Sequence, residues 1–375
     1  MKMKIIFMVL VIGVLLLSQT ALSETSPSYE EIEPTYYLID GTDYVRENML
    51  VVTLYVSTDE VYFSGTSAEG GPWIVKANTR GEIISQYKLR VGNGERITIH
   101  GMSRVSNGLL LGIIDNKTTL GSVALLKTDG QISYTDLGNA KIYSYVQMQD
   151  GILAQGVLYD ESMQTCAPQT IRIDQDGQIV FKRTGTSYDI GIDGGALTSS
   201  VCCASNNSIF VLEARGSSGT FCGSCELVCL NLFGQEKWKI ALDSNIVVYD
   251  MTAEDDKVYI IGFLGEWDEE GLLFNQQATI QCFSQDGTCQ WTQRFTLPAA
   301  YHCGDAGLGF IVASSLENGI WYICAIDTDG IIQRTVKIDA PVQYINHPYI
   351  ISNEMLVLLG MTEEQLMICN IPILW

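Results

Sequence analysis

IDQDGQIVFKR, residues 173–183, is one of five closely similar stretches in this chain. LKTDGQISYTD (126–136), LNLFGQEKWKI (230–240), FSQDGTCQWTQ (283–293) and IDTDGIIQRTV (326–336) share its form. Each has an apolar residue, a short polar run, a glycine and a second strand-like run. The pairs Asp129-Gly130, Asp176-Gly177, Asp286-Gly287 and Asp329-Gly330 predict tight hairpins in which both central residues take φ > 0. Arg80-Gly81 and Phe233-Gly234 keep only the glycine.

The turn glycines Gly81, Gly130, Gly177, Gly234, Gly287 and Gly330 are spaced by 49, 47, 57, 53 and 43 residues. A second series marches independently. VYFSGTS starts at Val61, LLLGIID at Leu109, ILAQGVL at Ile152 and IFVLEAR at Ile209. VYIIGFL starts at Val258, FIVASS at Phe310 and MLVLLGM at Met355. Two different markers at one period near fifty define seven units.

Each unit reads as four strands. In 247–295 they are VVYDMTA, KVYIIGFLG, ATIQCFS and CQWTQRF. The second is apolar throughout, which suits a strand covered on both faces. The fourth alternates, which suits an outer strand with one wet face. The pattern predicts an all-β fold, a seven-bladed β-propeller with four-stranded antiparallel blades. A sandwich does not account for the period, and an open solenoid would need polar capping units. The seventh unit ends in the stub IPILW, while TYYLID (35–40) precedes the first unit without another role. This N-terminal strand is expected to pair onto the last blade and close the ring, hiding an edge that would otherwise template aggregation.

The chain has 375 residues and a formal charge of −21. Lys2 and Lys4, the uncharged run Ile5 to Leu17 and Ala21-Leu22-Ser23 form a signal peptide over 1–23. The run is too short for a membrane span of roughly twenty residues. Residues 24–34 read as a flexible segment and 35–375 as a single domain. Losing two lysines with the signal peptide leaves −23. Such a surface repels nucleic acid and anionic lipid. The expected product is secreted or at the extracellular cell envelope, monomeric, and without an integral membrane domain after cleavage.

The block x-D-x-D-G-x-x-x-aromatic resembles the repeat of pyrroloquinoline-quinone-like (PQQ-like) propellers, in which a tryptophan follows the turn glycine by four residues. Trp238 and Trp291 match, Tyr134 and Phe181 are aromatic substitutes, and Ser85 and Arg334 depart from it. The resemblance implies either a cofactor-dependent dehydrogenase or a cofactor-free binding scaffold.

No motif names a reaction. His100, His302 and His347 fall on or beside first strands, where unrelated polar residues are the simpler reading than a metal site. DIGIDGG (189–195) and the Asp-x-Asp-Gly turns lack the downstream ligands of a calcium loop. VGNGER (91–96) has no following Lys-Ser/Thr, so it is not a phosphate loop, and no Gly-x-Ser-x-Gly elbow is present. Eleven cysteines are present, and Cys202, Cys203, Cys222, Cys225 and Cys229 crowd one region where one or two disulfides are expected. In GEWDEEG (265–271), Trp267 with Asp268, Glu269 and Glu270 is the candidate binding loop, since exposed aromatics anchor interfaces. The expected function is non-enzymatic binding of a protein or glycan at the cell surface, without cofactor. The alternative is an extracellular enzyme, quinoprotein-type or carbohydrate-active, with Ca²⁺ or a quinone at the axial mouth.

Overall fold

The computed structural model describes residues 30–31, 35–39, 53–56, 60–66, 71–89, 97–115, 117–160, 165–189, 202–205, 207–214, 225–267, 273–295, 303–317, 320–339, 344–352, 355–361 and 366–372. The expected signal peptide, most of 24–34, and Cys222, Asp268, Glu269, Glu270 and His302 lie outside the described residues. The described chain is all β, with no helix. Membrane-crossing helices are accordingly absent among the described residues.

Two short strands come first, β1 (Glu30–Glu31) and β2 (Thr35–Ile39). The next sheet holds β3 (Thr53–Val56), β4 (Glu60–Thr66), β5 (Pro72–Asn78) and β6 (Ile83–Lys88). A larger sheet holds β7 (Ile97–Val105), β8 (Gly108–Asp115), β9 (Leu120–Lys127), β10 (Ile132–Met148), β11 (Gly151–Asp160), β12 (Thr165–Asp174) and β13 (Ile179–Thr184), and β14 (Tyr188–Asp189) also pairs with β12. Then come β15 (Cys202–Ala204), β16 (Ile209–Ala214), β17 (Cys225–Leu230) and β18 (Glu236–Ala241). The following sheet is β19 (Ile246–Glu254), β20 (Lys257–Trp267), β21 (Leu273–Ser284) and β22 (Cys289–Phe295). The last strands are β23 (Cys303–Gly307), β24 (Phe310–Glu317), β25 (Ile320–Asp327) and β26 (Ile332–Asp339), then β27 (Tyr344–Ser352), β28 (Met355–Met361) and β29 (Leu366–Pro372).

These are four-stranded antiparallel sets in chain order, with one variation. β10 is a single strand of 17 residues that serves as the fourth strand of one set and the first of the next. Its pairing breaks between Asp136 and Lys141, around Gly138 at φ 85°. The two N-terminal strands attach to outer edges. β2 pairs antiparallel with β29, Tyr37 opposite Ile368, and β1 lies parallel on β26.

The repeated turn departs from the two-residue hairpin read from Asp-Gly. Gly81, Gly130, Gly177, Gly234, Gly287 and Gly330 all have φ between 77° and 85°, but the aspartates before them do not enter the left-handed region. The turn is a three-residue loop ending on a left-handed glycine, with a bulge in the ladder beside it. The reason lies at its head. Asp174 Oδ1 accepts the amides of Asp176 at 3.0 Å and Gln178 at 2.8 Å. Asn78, Asn231 and Asp327 cap their own turns in the same way.

Second strands are buried on both faces, as Gly151 to Val157 of β11 shows, and β13 alternates half-buried with exposed. The core therefore lies between sheets. One cluster joins Phe210, Leu227 and Cys229 to Val258 and Ile260 of the next sheet. Fourth-strand aromatics clamp three of these four-stranded sets to the turn of the following one. Phe181 packs on Gly234, Trp238 on Gly287 and Trp291 on Gly330. Trp238 Nε1 donates to the Gln285 carbonyl, and Trp291 Nε1 donates to that of Thr328 at 3.1 Å. Tyr134 stays exposed, and Thr135 Oγ1 reaches the Gly177 carbonyl at 2.5 Å instead.

An ion-pair cluster ties the first sheet to the second. Glu60 meets Lys76 at 2.7 Å and Arg104 of β7 at 2.8 Å, and Tyr62 donates to it at 3.1 Å. Burial alone would raise the Glu60 carboxyl. The bonds from Lys76 and Tyr62 and the charge of Arg104 outweigh it and hold the group below its ordinary value. A carboxyl lowered on folding stabilises the fold above its unfolded pKa and loses that effect as pH falls through the folded one. The urea midpoint of the parent chain is therefore expected to drop more between pH 5 and 3 than that of Glu60→Gln. The difference should be about 1 kcal/mol or less. Parallel pH profiles would refute the assignment.

Candidate functional site

Antiparallel strands put connections at two ends. At one end lie the first-to-second turns, such as 106–107, 149–150, 255–256 and 308–309, and the glycine turns. All of these are short. At the other end lie the second-to-third and fourth-to-first connections, including 40–52, 215–224, 268–272 and 296–302. Neighbouring first strands run in step. Gly304 N donates to Asp250 Oδ2 at 2.9 Å, Ile350 N to Asp305 Oδ2 at 2.9 Å, and Ser103 Oγ to the Met148 carbonyl at 3.0 Å. The strand ends that the long connections join therefore lie at one end of successive sheets, where loops can vary without disturbing the scaffold.

Close to that end, several first strands bulge at the same register. In β7 the ladder slips between Ile99 and Gly101, in β10 between Ile142 and Ser144, and in β19 between Val248 and Asp250. The residues left out of the ladder are His100, Tyr143 and Tyr249. β27 slips between Ile345 and Pro348, the stretch that includes His347. A bulge re-aims the extra side chain, and its unpaired backbone is a local cost.

The three bulge residues are held by neighbours. Thr98 Oγ1 lies 2.8 Å from His100 Nε2, and burial lowers the imidazole pKa, so the ring is neutral at pH 7. The Tyr143 hydroxyl is 3.4 Å from that of Tyr159. Burial, then the Tyr159 hydrogen bond, pushes the Tyr143 phenol well above its usual range. Lys141 Nζ stands 4.7 Å from the centre of the Tyr159 ring. Tyr249 meets Phe263 edge-on at 5.2 Å and 82°, and burial raises its phenol as well. Both phenols stay neutral at physiological pH and can donate or accept hydrogen bonds. Tyr143 and Tyr249 remain 40% and 44% exposed, so their rings are supported but open.

Of the residues read from sequence, Trp267 closes β20, opposite Leu273 of β21. The hairpin ladder thus runs further than the expanded loop expected there, and only 268–272 connect the strands. Trp267 sits at the same end as the bulges. Cys202, Cys203, Cys225 and Cys229 are free, buried thiols packed in the core, with no bridge among them. Burial lifts each of these thiols, that of Cys202 to about 12, which makes them inert small apolar groups. Among the described residues no three His, Cys, Asp or Glu side chains converge as metal ligands.

The charged residues around Glu213 are structural. Glu213 is 3% exposed, paired with Arg183 of the preceding sheet and with Lys239 at 3.3 Å, and the cluster clamps two sheets together. Of the bulge residues, His100 was weighed from sequence only as a metal ligand, and Tyr143 and Tyr249 were not singled out, although a signal exists. His100, Tyr143 and Tyr249 each stand nine residues before the second-strand marker of their unit, at Leu109, Ile152 and Val258.

The chain matches no protein-family model and no curated protein. Solved structures share its fold at low identity. A virginiamycin B lyase from Staphylococcus aureus is 14% identical with a TM-score of 0.54, over 90% of this chain and 99% of that one. The β-propeller domain of the Trilobed protease from Pyrococcus furiosus is 10% identical with a TM-score of 0.57, over 87% and 94%. Polysaccharide lyase Uly1 is 9% identical with a TM-score of 0.56, over 95% and 94%. The likeness is one of fold, and the fold is that of β-propeller proteins.

Proposed function

We propose that this chain is an exported, non-enzymatic binding module: a closed seven-bladed propeller that holds a protein or glycan partner at its long-connection end. Seven four-stranded sets can be counted once β10 is divided between two of them and β2 completes the last. Support for a ring comes from the first strands. β3 touches β7, and contact then passes through β10, β15, β19 and β23 to β27, which touches β3. The basic n-region, short apolar run and small-residue site at 1–23 support export.

The observation that carries the function is the register-matched set of bulges, which leaves His100, Tyr143 and Tyr249 out of their ladders toward the end with the long connections. Trp267 lies at that end too. Tight turns occupy the opposite end and offer little to recognise.

The test is an array of oligosaccharides and extracellular-domain peptides probed with the chain 24–375. Trp267→Ala combined with Glu269→Ala is expected to weaken the signal by about tenfold, the usual effect of removing an aromatic anchor. Gln131→Ala, at the opposite end, should leave it unchanged. The reading falls if the turn-end variant alone loses binding, or if array ligands are converted to products.

A further inference from the structure

We propose that Tyr143 and Tyr159 form an oxidative modification site, at which hydrogen peroxide and an oxidant of the haem-peroxidase class join the two phenol rings by a carbon–carbon bond. The bond staples the bulged strand to its neighbour. The site differs in kind from the binding end proposed above and does not depend on it.

The backbone brings the pair together. β10 and β11 pair only as far as Lys141 opposite Val157, and β11 continues to Asp160. Tyr159 therefore lies beyond the last rung of that ladder. Tyr143 is the residue left out by the slip between Ile142 and Ser144. A bulge re-aims the extra side chain, and here the two hydroxyls meet at 3.4 Å. Lys141 Nζ stands over the Tyr159 ring, 4.7 Å from its centre. Tyr143 is 40% exposed, open to an oxidant in solvent.

The chemistry balances on these two residues and peroxide. Each phenol gives up one electron and its hydroxyl proton and becomes a neutral phenoxyl radical. The radicals form a bond between one ortho carbon of each ring. The hydrogen on each of those carbons then passes to the oxygen, which restores both phenols. The pair has lost two electrons and two protons, and one peroxide takes them up as it becomes two waters. An ortho carbon is two bonds from its oxygen, so hydroxyls in contact hold these carbons near each other. The torsion about Cβ–Cγ is soft. Turning it leaves the oxygen in place and sweeps the ortho carbons toward the partner ring. Radicals already held together couple within one molecule, ahead of encounters between separate chains.

Exposure alone would choose differently. Tyr134 is 53% exposed and would react before Tyr143. Tyr145 is protected, since it is 7% exposed and donates to the carbonyls of Ile113 and Ser122. Cys166 is the competing partner. It is a free thiol directly opposite Tyr159 in the β11–β12 ladder, and a Tyr159 radical that turned to it would give a thioether. That thiol is 1% exposed, whereas the Tyr143 hydroxyl already touches that of Tyr159 and its ring opens to solvent.

The experiment treats the chain 24–375 with hydrogen peroxide and a haem peroxidase, then maps the digest by mass spectrometry, with dityrosine fluorescence as a second readout. The expected first product joins the peptides that carry Tyr143 and Tyr159, lighter by two hydrogens, at a yield independent of protein concentration. Tyr143→Phe and Tyr159→Phe should each abolish it, while Tyr134→Phe leaves it unchanged. Circular dichroism melts confirm that the variants fold. The proposal is overturned if no cross-link forms, if the first one uses Tyr134 or joins separate chains, if Tyr159 is tied to Cys166, or if the product survives either of the first two substitutions.

Discussion

Deleting β2, by starting the chain at Gly41 instead of Ile32 so that β1 is absent from both chains, is expected to destabilise the fold by several kcal/mol and to make it aggregate. β2 contributes five residues in register with β29, from Thr35 opposite Asn370 to Ile39 opposite Leu366. Without it the outer edge of β29 presents unpaired amides and carbonyls. Ile368 and Cys369, 0% and 2% exposed, lie along that edge. An open edge beside apolar side chains templates pairing with other chains. The expected loss is about 3–6 kcal/mol, a large share of the ~5–15 kcal/mol that holds a typical domain together. If the ring is closed by this strand, the urea transition should also broaden, because first and last sheets would no longer be coupled. Urea denaturation and light scattering on the two chains decide the matter. An unchanged midpoint and slope would show that β2 is ornamental.

The second large effect concerns Trp291 and Gly330. Trp291 packs beside Tyr259, with ring centres 6.0 Å apart, and its indole lies over the turn of the next sheet. It is also in contact with the Ile261 and Ile311 clusters. Trp291→Ala should cost about 3–5 kcal/mol, the range for removing a large core aromatic. Gly330 has φ 85°, and a Cβ there would fall 2.7 Å from Trp291 Cδ2. Gly330→Ala therefore meets both backbone strain and a clash, about 2–4 kcal/mol together. The double variant should cost about 1–2 kcal/mol less than the sum, because deleting the indole relieves the clash and leaves only the strain. Additive urea midpoints across this cycle would disprove the clamp.

Much of this architecture was legible beforehand, for reasons visible in particular residues. A left-handed glycine cannot be replaced cheaply, so Gly130, Gly177 and Gly287 kept their spacing and exposed the repeat. Apolar second strands were readable because both of their faces are covered. The aromatic four residues after the glycine was visible too, as a resemblance, but not its partner. Trp291 clasps the turn of the following sheet, 37 residues on, and only packing shows that. Tyr134 has the same place in the motif and stays in solvent, since Thr135 has taken its contact.

The candidate site was far less legible. Trp267 was read from an exposed-looking acidic loop, and the structure puts it at the end of a strand. Tyr143 and Tyr249 looked like ordinary strand aromatics, because a bulge is a mismatch between two strands and leaves no mark in either one alone. The crowded cysteines suggested bridges, whereas sheet packing leaves Cys202, Cys203, Cys225 and Cys229 as buried thiols.

From the residues alone came the all-β class, the unit length, the four-strand grammar and the glycine turns. Each depends on conformational preferences and burial patterns carried within a few neighbouring residues. Tertiary structure decided which aromatics clamp which turns, that β10 serves two sets, and that three bulges bring an imidazole and two phenols to one end. Those depend on pairing and packing between segments tens of residues apart, and no local pattern in the chain encodes a distance across that gap.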